Sequence, residues 1–120
     1  MTTAEPFEVL EPLLLVSIAR TYREGVDVYE LARYAWKVDV GRAERYALVL
    51  AHSDGIVRGA FRPERWMRAT NENFPGKGDD PERWGFVGRD AEPEVADYYI
   101  GKRVPEDLRG RAAFRYCERW

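Results

Sequence analysis

Aromatic residues and arginines lie close together along much of this 120-residue chain, and together they could bind a nucleobase and its phosphate. Aromatic faces stack on bases, and guanidinium groups hold phosphate oxygens. The same rings could instead form the hydrophobic core, which is the commoner use of Trp and Phe in a small domain. The sequence predicts a ligand-binding surface with these candidate residues: Trp36, Arg58, Arg62, Arg65, Trp66, Arg68 and Trp84.

His52 is the only histidine and stands two residues before Asp54, near the end of an apolar run. An imidazole in this position could act as a general base. It could equally hydrogen-bond the adjacent turn, and no paired nucleophile is apparent. We therefore assign no catalytic residue, and a hydrolase or nuclease-like enzyme that uses His52 stays as an alternative.

Metal and cofactor chemistry has little support in the sequence. Cys117 is the only cysteine, so it can form neither an internal disulfide nor a cysteine-based zinc site, and we expect it to pack. Four carboxylates lie in or next to residues 71–81, namely Glu72, Asp79, Asp80 and Glu82, but their spacing matches no calcium-binding loop. We predict solvated charge there, with no metal and no cofactor.

Composition favours one α+β domain over residues 1–120, since 45% hydrophobic and 33% charged residues suit one core with a polar surface. The net charge of -2 argues against coating nucleic acid through bulk charge, although arginines cluster locally. No apolar run is long enough to span a bilayer, and residues 1–11 lack a basic region. We expect a cytoplasmic protein with no membrane partner.

Hydrophobic periodicity and turn residues predict the elements that would position these side chains. Asp27 and Glu30 have capping-box spacing, which predicts a helix over residues 28–36 with Glu30 and Arg33 facing water.

Gly55 lies in a short link between two strand-like runs, which predicts a hairpin. Pro63 should end the second of these strands and begin a helical turn through Trp66 and Met67. Residues 71–81 read as a mobile loop. The other predicted elements are strands over residues 13–18, 47–51, 56–61, 83–88 and 114–116, a helical turn over 41–46 and a helix over 93–99.

Short turns between neighbouring strands favour a small, partly closed antiparallel sheet or barrel with helices at one side, in preference to a βαβ arrangement. The residues at 46–66, 83–88 and 99–102 resemble a poorly characterised small bacterial domain, over nearly the whole chain from Leu14 onward. A helix ending in Trp, a strand, a turn and the strand Ile56-Val57-Arg58-Gly59 are also similar to PUA-like barrels such as EVE and ASCH domains. That resemblance implies a barrel that binds RNA or modified bases, and it assigns no site residue.

The predicted function is a noncatalytic module that binds nucleic acid or a nucleotide through an arginine-rich aromatic surface. Its expected partner is single-stranded nucleic acid or a nucleotide. The first alternative is a protein-interaction subunit or homodimer, because aromatic residues and arginines are also enriched at protein interfaces.

Overall fold

The apolar run that begins at Leu13 forms one of the inner strands of a five-stranded mixed sheet. The computed structural model describes residues 4–19, 22–23, 25–34, 36–108 and 114–117. The sheet order is β4-β3-β2-β1-β5, with β1 parallel to β2 and every other pair antiparallel. In chain order the elements are β1 (Leu13–Ser17), α1 (Val28–Ala32), α2 (Val40–Ala43), β2 (Val49–Ser53), β3 (Ile56–Ala69), β4 (Asp80–Asp90), α3 (Pro93–Tyr99), a 3-10 helix (Glu106–Leu108) and β5 (Phe114–Cys117).

Both faces of the sheet are buried at β1 and β2, because successive side chains of a strand point to opposite faces. Leu13 and Leu15 pack under α3, on what we call the α3 face. Leu14 and Val16 pack under the first two helices, on the α1–α2 face. Burying such a side chain typically contributes about 1.5–3 kcal/mol, so these inner strands anchor the two covering layers. The two predicted buried strands are present, although the second begins at Val49 and not at residue 47, because Ala47 is exposed and lies outside the sheet.

Aspartates begin the two short helices of the α1–α2 face. The Asp27 carboxylate accepts a hydrogen bond from the Tyr29 N–H (3.0 Å), as an N-cap residue does. The predicted extent of the helix is wrong, since α1 ends at Ala32. The Glu30 carboxylate pairs with Arg33 (3.3 Å) and Lys77 (3.1 Å), so ion pairs take the place of the predicted capping box. The Glu30 side chain remains 38% exposed, as expected, whereas that of Arg33 is 19% exposed.

The hairpin between β2 and β3 is confirmed. Ser53 pairs with Ile56, which leaves Asp54 and Gly55 as the two turn residues. Both have positive φ angles, 54° and 76°. Such a two-residue turn matches the right-handed twist of the flanking strands, and glycine adopts its second position without steric cost.

Pro63 neither ends β3 nor begins a helical turn, so that prediction is wrong. The strand continues to Ala69, and its pairing with β4 shifts register between Pro63 and Arg65. Such a β-bulge tolerates a residue that lacks an N–H. Pro63 lies opposite Gly88, where an added Cβ would clash with the Arg62 carbonyl oxygen. Glycine therefore lets the two strands approach at the bulge.

The segment that joins β3 to β4 is attached to α1. Phe74 is fully buried, and its ring contacts the Tyr34 ring (5.3 Å between centroids). The Lys77 ammonium donates to the Glu30 carbonyl (3.0 Å). The sequence missed this anchoring because a single Phe among Gly, Pro and Asn gives no periodic apolar signal.

The α+β class is confirmed, whereas the arrangement of the sheet differs from the prediction. Strands β1 and β2 are parallel because the connection between them crosses over the sheet with α1 and α2. Helices cover both faces, and within the described ranges the sheet is open, with β4 and β5 at its edges. The remaining predicted strands and the helix at residues 93–99 are present. No helix in the described part of the chain is long and apolar enough to cross a membrane.

Candidate nucleic-acid interface

Two tryptophans meet at the outer edge of β4. The Trp36 N–H donates to the Trp84 carbonyl (2.8 Å), and the Trp84 N–H donates back to the Trp36 carbonyl (2.9 Å). Further along, the Phe86 N–H donates to the Arg33 carbonyl (2.9 Å). Side chains of a mutually hydrogen-bonded pair lie side by side on one face. The backbone that follows α1 therefore both covers the edge of β4 and holds Trp36 beside Trp84.

The aromatic surface continues from this pair to the opposite edge of the sheet. The Trp36 ring lies 6.0 Å from the Phe114 ring, and the Phe114 ring lies 5.3 Å from the Tyr116 ring. We call Trp84, Trp36, Phe114 and Tyr116 the aromatic strip. All four side chains are half-buried, so part of each remains accessible at the rim of the α1–α2 face.

Cationic side chains flank the aromatic strip. The guanidinium of Arg68 lies 4.3 Å from the centre of the Trp84 ring, and that of Arg42 lies 4.0 Å from the Tyr116 ring. Both residues are exposed, as is Lys37, the neighbour of Trp36 in the chain. Arg68 donates to the Pro81 carbonyl (2.9 Å), a contact that orients the guanidinium and leaves its charge in place. The strip thus combines flat apolar faces with positive charge.

Trp66 lies beneath the strip as a core residue. It is 8% exposed, and its ring packs against Phe86 (5.2 Å) and Phe114 (6.4 Å). Its indole Nε1 is buried and has no hydrogen-bond partner in the described part of the chain. The sequence allowed the tryptophans either to stack on a ligand or to pack in the core. Trp66 packs in the core, where it supports the ring of Phe114.

Arg62 lies on the α3 face and is held by two carboxylates. Its guanidinium pairs with Glu92 (2.8 Å) and Glu11 (3.0 Å) and donates to the Ala47 carbonyl (2.9 Å). The hydrogen bond to Glu11 is the main reason why the pKa of Arg62 is raised; burial opposes the rise and Glu92 adds to it. A separate hydrogen bond, donated by Arg62 to Glu92 (2.9 Å), is the main cause that lowers the pKa of the Glu92 carboxyl to about 2. Arg62 therefore links the sheet both to the segment that precedes β1, through Glu11, and to the residue that precedes α3, Glu92.

Arg65 and Arg58 also lie away from the aromatic strip. Arg65 is exposed and contacts the sulfur of Met67 (3.3 Å), on the face opposite Trp66. Arg58 lies over the Tyr22 ring (5.0 Å) at the other end of β3. Of the seven predicted residues, the structure places Trp36, Arg68 and Trp84 on one surface, with Trp66 below it.

The other residues that the sequence considered take separate positions. His52 is half-buried in β2 between Ser17 and Val57, while Asp54 is exposed in the hairpin turn. Cys117 is buried on the α3 face, in agreement with a packing role. Asp79 accepts a hydrogen bond from the Asn71 N–H (3.0 Å). Across residues 4–19, 22–23, 25–34, 36–108 and 114–117, no three metal-binding side chains of the His, Cys, Asp or Glu type are grouped.

Sequence reasoning missed Phe114, Tyr116, Arg42 and Lys37 as parts of a surface. Alternation along a strand predicts that Phe114 and Tyr116 share a face. The sequence does not indicate that Trp36 lies between this face and Trp84. That position depends on the isolated β-bridge between Trp36 and Trp84 at the edge of β4.

Comparison with protein-family models, curated proteins and solved structures found no match to this chain.

Proposed function

We propose that this domain is a noncatalytic module that binds single-stranded nucleic acid, or a nucleotide, on the aromatic strip. The observation that carries the proposal is the half-buried series of rings from Trp84 to Tyr116, flanked by the exposed residues Arg68 and Arg42. The rings supply stacking that tolerates any base, and the cations supply phosphate contacts. Arg68 adds to both, since a guanidinium plane can itself stack on a base.

Half-buried rings favour a single strand over a duplex. The faces of paired bases are stacked inside a duplex and inaccessible, whereas bases of a single strand can turn outward and reach a ring. The net charge of -2 gives little long-range attraction, so binding would depend on the local cations and weaken as salt rises. The sequence resemblance to PUA-like barrels adds support, because such domains bind RNA or modified bases. A cytoplasmic protein, as we expect this one to be, would meet such ligands.

Fluorescence anisotropy with labelled single-stranded RNA and DNA, and with a duplex of the same sequence, tests this proposal. We expect the wild-type protein to bind the single strands at low salt and the duplex more weakly. Trp84→Ala should weaken binding by about 1–3 kcal/mol, the usual cost of removing a stacked base contact. Its salt dependence should stay close to that of the wild type, because no phosphate contact is removed.

Tyr98→Ala is the matched control. Tyr98 is also a half-buried ring with a cation over it, the Lys102 ammonium at 4.6 Å, but it belongs to α3. Equal losses in the two variants would place the nucleic acid elsewhere. No binding of any oligonucleotide at low salt would overturn the proposal and leave the strip as a protein-interaction surface, which sedimentation velocity would detect as a homodimer if the partner is a second copy.

A further inference from the structure

A cleft of about 570 Å³ lies away from the aromatic strip, between the start of α1 and α3. Its floor is the part of β3 that β4 leaves uncovered. The pairing with β4 begins at Phe61, opposite Asp90, and the Val57 N–H donates to the Lys102 carbonyl (2.9 Å). The cleft opens between these two points and has the size usual for small-molecule sites.

Most of the cleft wall is apolar. Gly59, Ala60 and Phe61 form its floor, and α3 contributes one side through Pro93 and Ala96. Ile100, at the end of this side, is 45% exposed, which is unusual for a large apolar residue. The glycine belongs to the packing of the floor, because a Cβ at position 59 would lie 2.8 Å from Val28 and from the Phe61 ring. The cleft thus has a fixed apolar floor and an exposed apolar rim.

Three charged side chains also line the cleft, one cationic and two anionic. The Nε of Arg58 is buried and has no hydrogen-bond partner among the residues that the structure describes. Its Nη2 makes a long contact with the Ser53 carbonyl (3.5 Å), and the guanidinium lies over the Tyr22 ring (5.0 Å). Arginine binds carboxylates most strongly with two donors at once, and no carboxylate in the described part of the chain pairs with Arg58. The carboxylates are those of Asp27 and Asp90, both exposed residues.

We infer that this cleft binds a small zwitterion with an apolar body, namely an α-amino acid with a large apolar or aromatic side chain. Its carboxylate pairs with Arg58, its ammonium faces Asp27 and Asp90, and its side chain lies on the floor beside Phe61 and Ile100. The inference stands independently of the proposed nucleic-acid function, because the cleft and the aromatic strip share no lining residue.

Isothermal titration calorimetry with L-phenylalanine and L-leucine tests the inference. We expect binding of both, and clear losses with N-acetyl-L-phenylalanine, which lacks the ammonium, and with L-phenylalaninamide, which lacks the carboxylate. Each missing charged contact should weaken binding about tenfold or more. Arg58→Gln should abolish discrimination between the acid and the amide, and Asp90→Asn should reduce discrimination between the free and acetylated amine.

Arg65→Gln is the matched control, an exposed arginine on the same strand outside the cleft, and it should bind like the wild type. Trp84→Ala should also leave amino-acid binding unchanged, which separates this site from the aromatic strip. Asp90 is exposed, so Asp90→Asn remains informative if Arg58→Gln unfolds. The inference would be overturned if the wild type bound no amino acid at millimolar concentration. It would also be overturned if Asp90→Asn bound the amino acid as tightly as the wild type and discriminated equally between the free and the acetylated amine.

Discussion

Two arginines of the same strand, Arg62 and Arg68, lie in opposite environments. Arg62 is enclosed on the α3 face by two carboxylates and a carbonyl, with 17% of its side chain exposed. Arg68 is exposed beside the α1–α2 face and stacks on Trp84. One guanidinium is committed to the fold, whereas the other presents its charge to solvent.

The bulge at Pro63 explains the difference. Residues an even number of positions apart share a face in a regular strand, so Arg62 and Arg68 would lie together. The register shift between Pro63 and Arg65 moves Trp66 and Arg68 to the face that also holds Phe61. A single extra residue therefore decides which arginine is available to bind a ligand.

The largest expected effect is a loss of stability, and it tests whether both faces of the sheet are buried. Val49 is fully buried in β2, so Val49→Asp would place an unpaired charge in the α1–α2 face. We expect a loss of about 5 kcal/mol, close to the whole stability of a marginally stable domain, so the variant should be unfolded or should melt far below the wild type. Ala47→Asp, at an exposed position two residues earlier, is the control and should melt near the wild type in circular dichroism. A Val49→Asp protein that melts as close to the wild type as the control does would contradict the burial of this strand.

The next effect separates the buried tryptophan from the half-buried one. Trp66→Ala should lower the free energy of unfolding by about 3–5 kcal/mol, because it leaves a cavity between Phe86 and Phe114. Trp84→Ala should cost roughly 1 kcal/mol, since the ring is partly in water. Urea denaturation measures both values. Equal costs would mean that Trp84 also belongs to the core and would weaken the proposed binding surface.

Local patterns in the sequence were sufficient to predict most of the elements. Continuous apolar runs identified β1 and β2, Asp54-Gly55 identified the hairpin, and Pro93 marked the start of α3. These signals are local, because burial on both faces, a turn conformation and a helix start each depend on a few adjacent residues.

Long-range arrangements could not be predicted from the same patterns. A proline usually ends a strand, and Pro63 fits within β3 because of the bulge and because Gly88 lies opposite it in the next strand. The pairing of Trp36 with Trp84 and the enclosure of Arg62 by Glu11 and Glu92 also join distant parts of the chain. The sequence could therefore name residues of the candidate site without showing which of them would meet.

A smaller, pH-dependent effect tests whether Arg62 is committed to the fold. The hydrogen bond from Arg62 lowers the pKa of the Glu92 carboxyl from 4.5 to about 2. A carboxyl with a lowered pKa stabilises the folded state above its unfolded pKa, and this contribution disappears as pH falls from about 4.5 to 2. Glu92→Gln should therefore melt below the wild type at neutral pH, with a difference that shrinks on acidification. Glu94→Gln, at an exposed position of α3, is the control. A Tm difference independent of pH would contradict the pairing.

The most direct measurement compares the salt dependence of oligonucleotide binding in Arg68→Gln and Arg62→Gln. Each phosphate contact contributes about 0.7 to the slope of log K against log salt for a single strand. If the aromatic strip binds the nucleic acid, Arg68→Gln lowers this slope by about 0.7, and Arg62→Gln leaves it unchanged as long as the protein is folded, because its donors already serve carboxylates and a carbonyl. A slope that falls for Arg62→Gln and stays constant for Arg68→Gln would place the ligand on the α3 face and contradict the account.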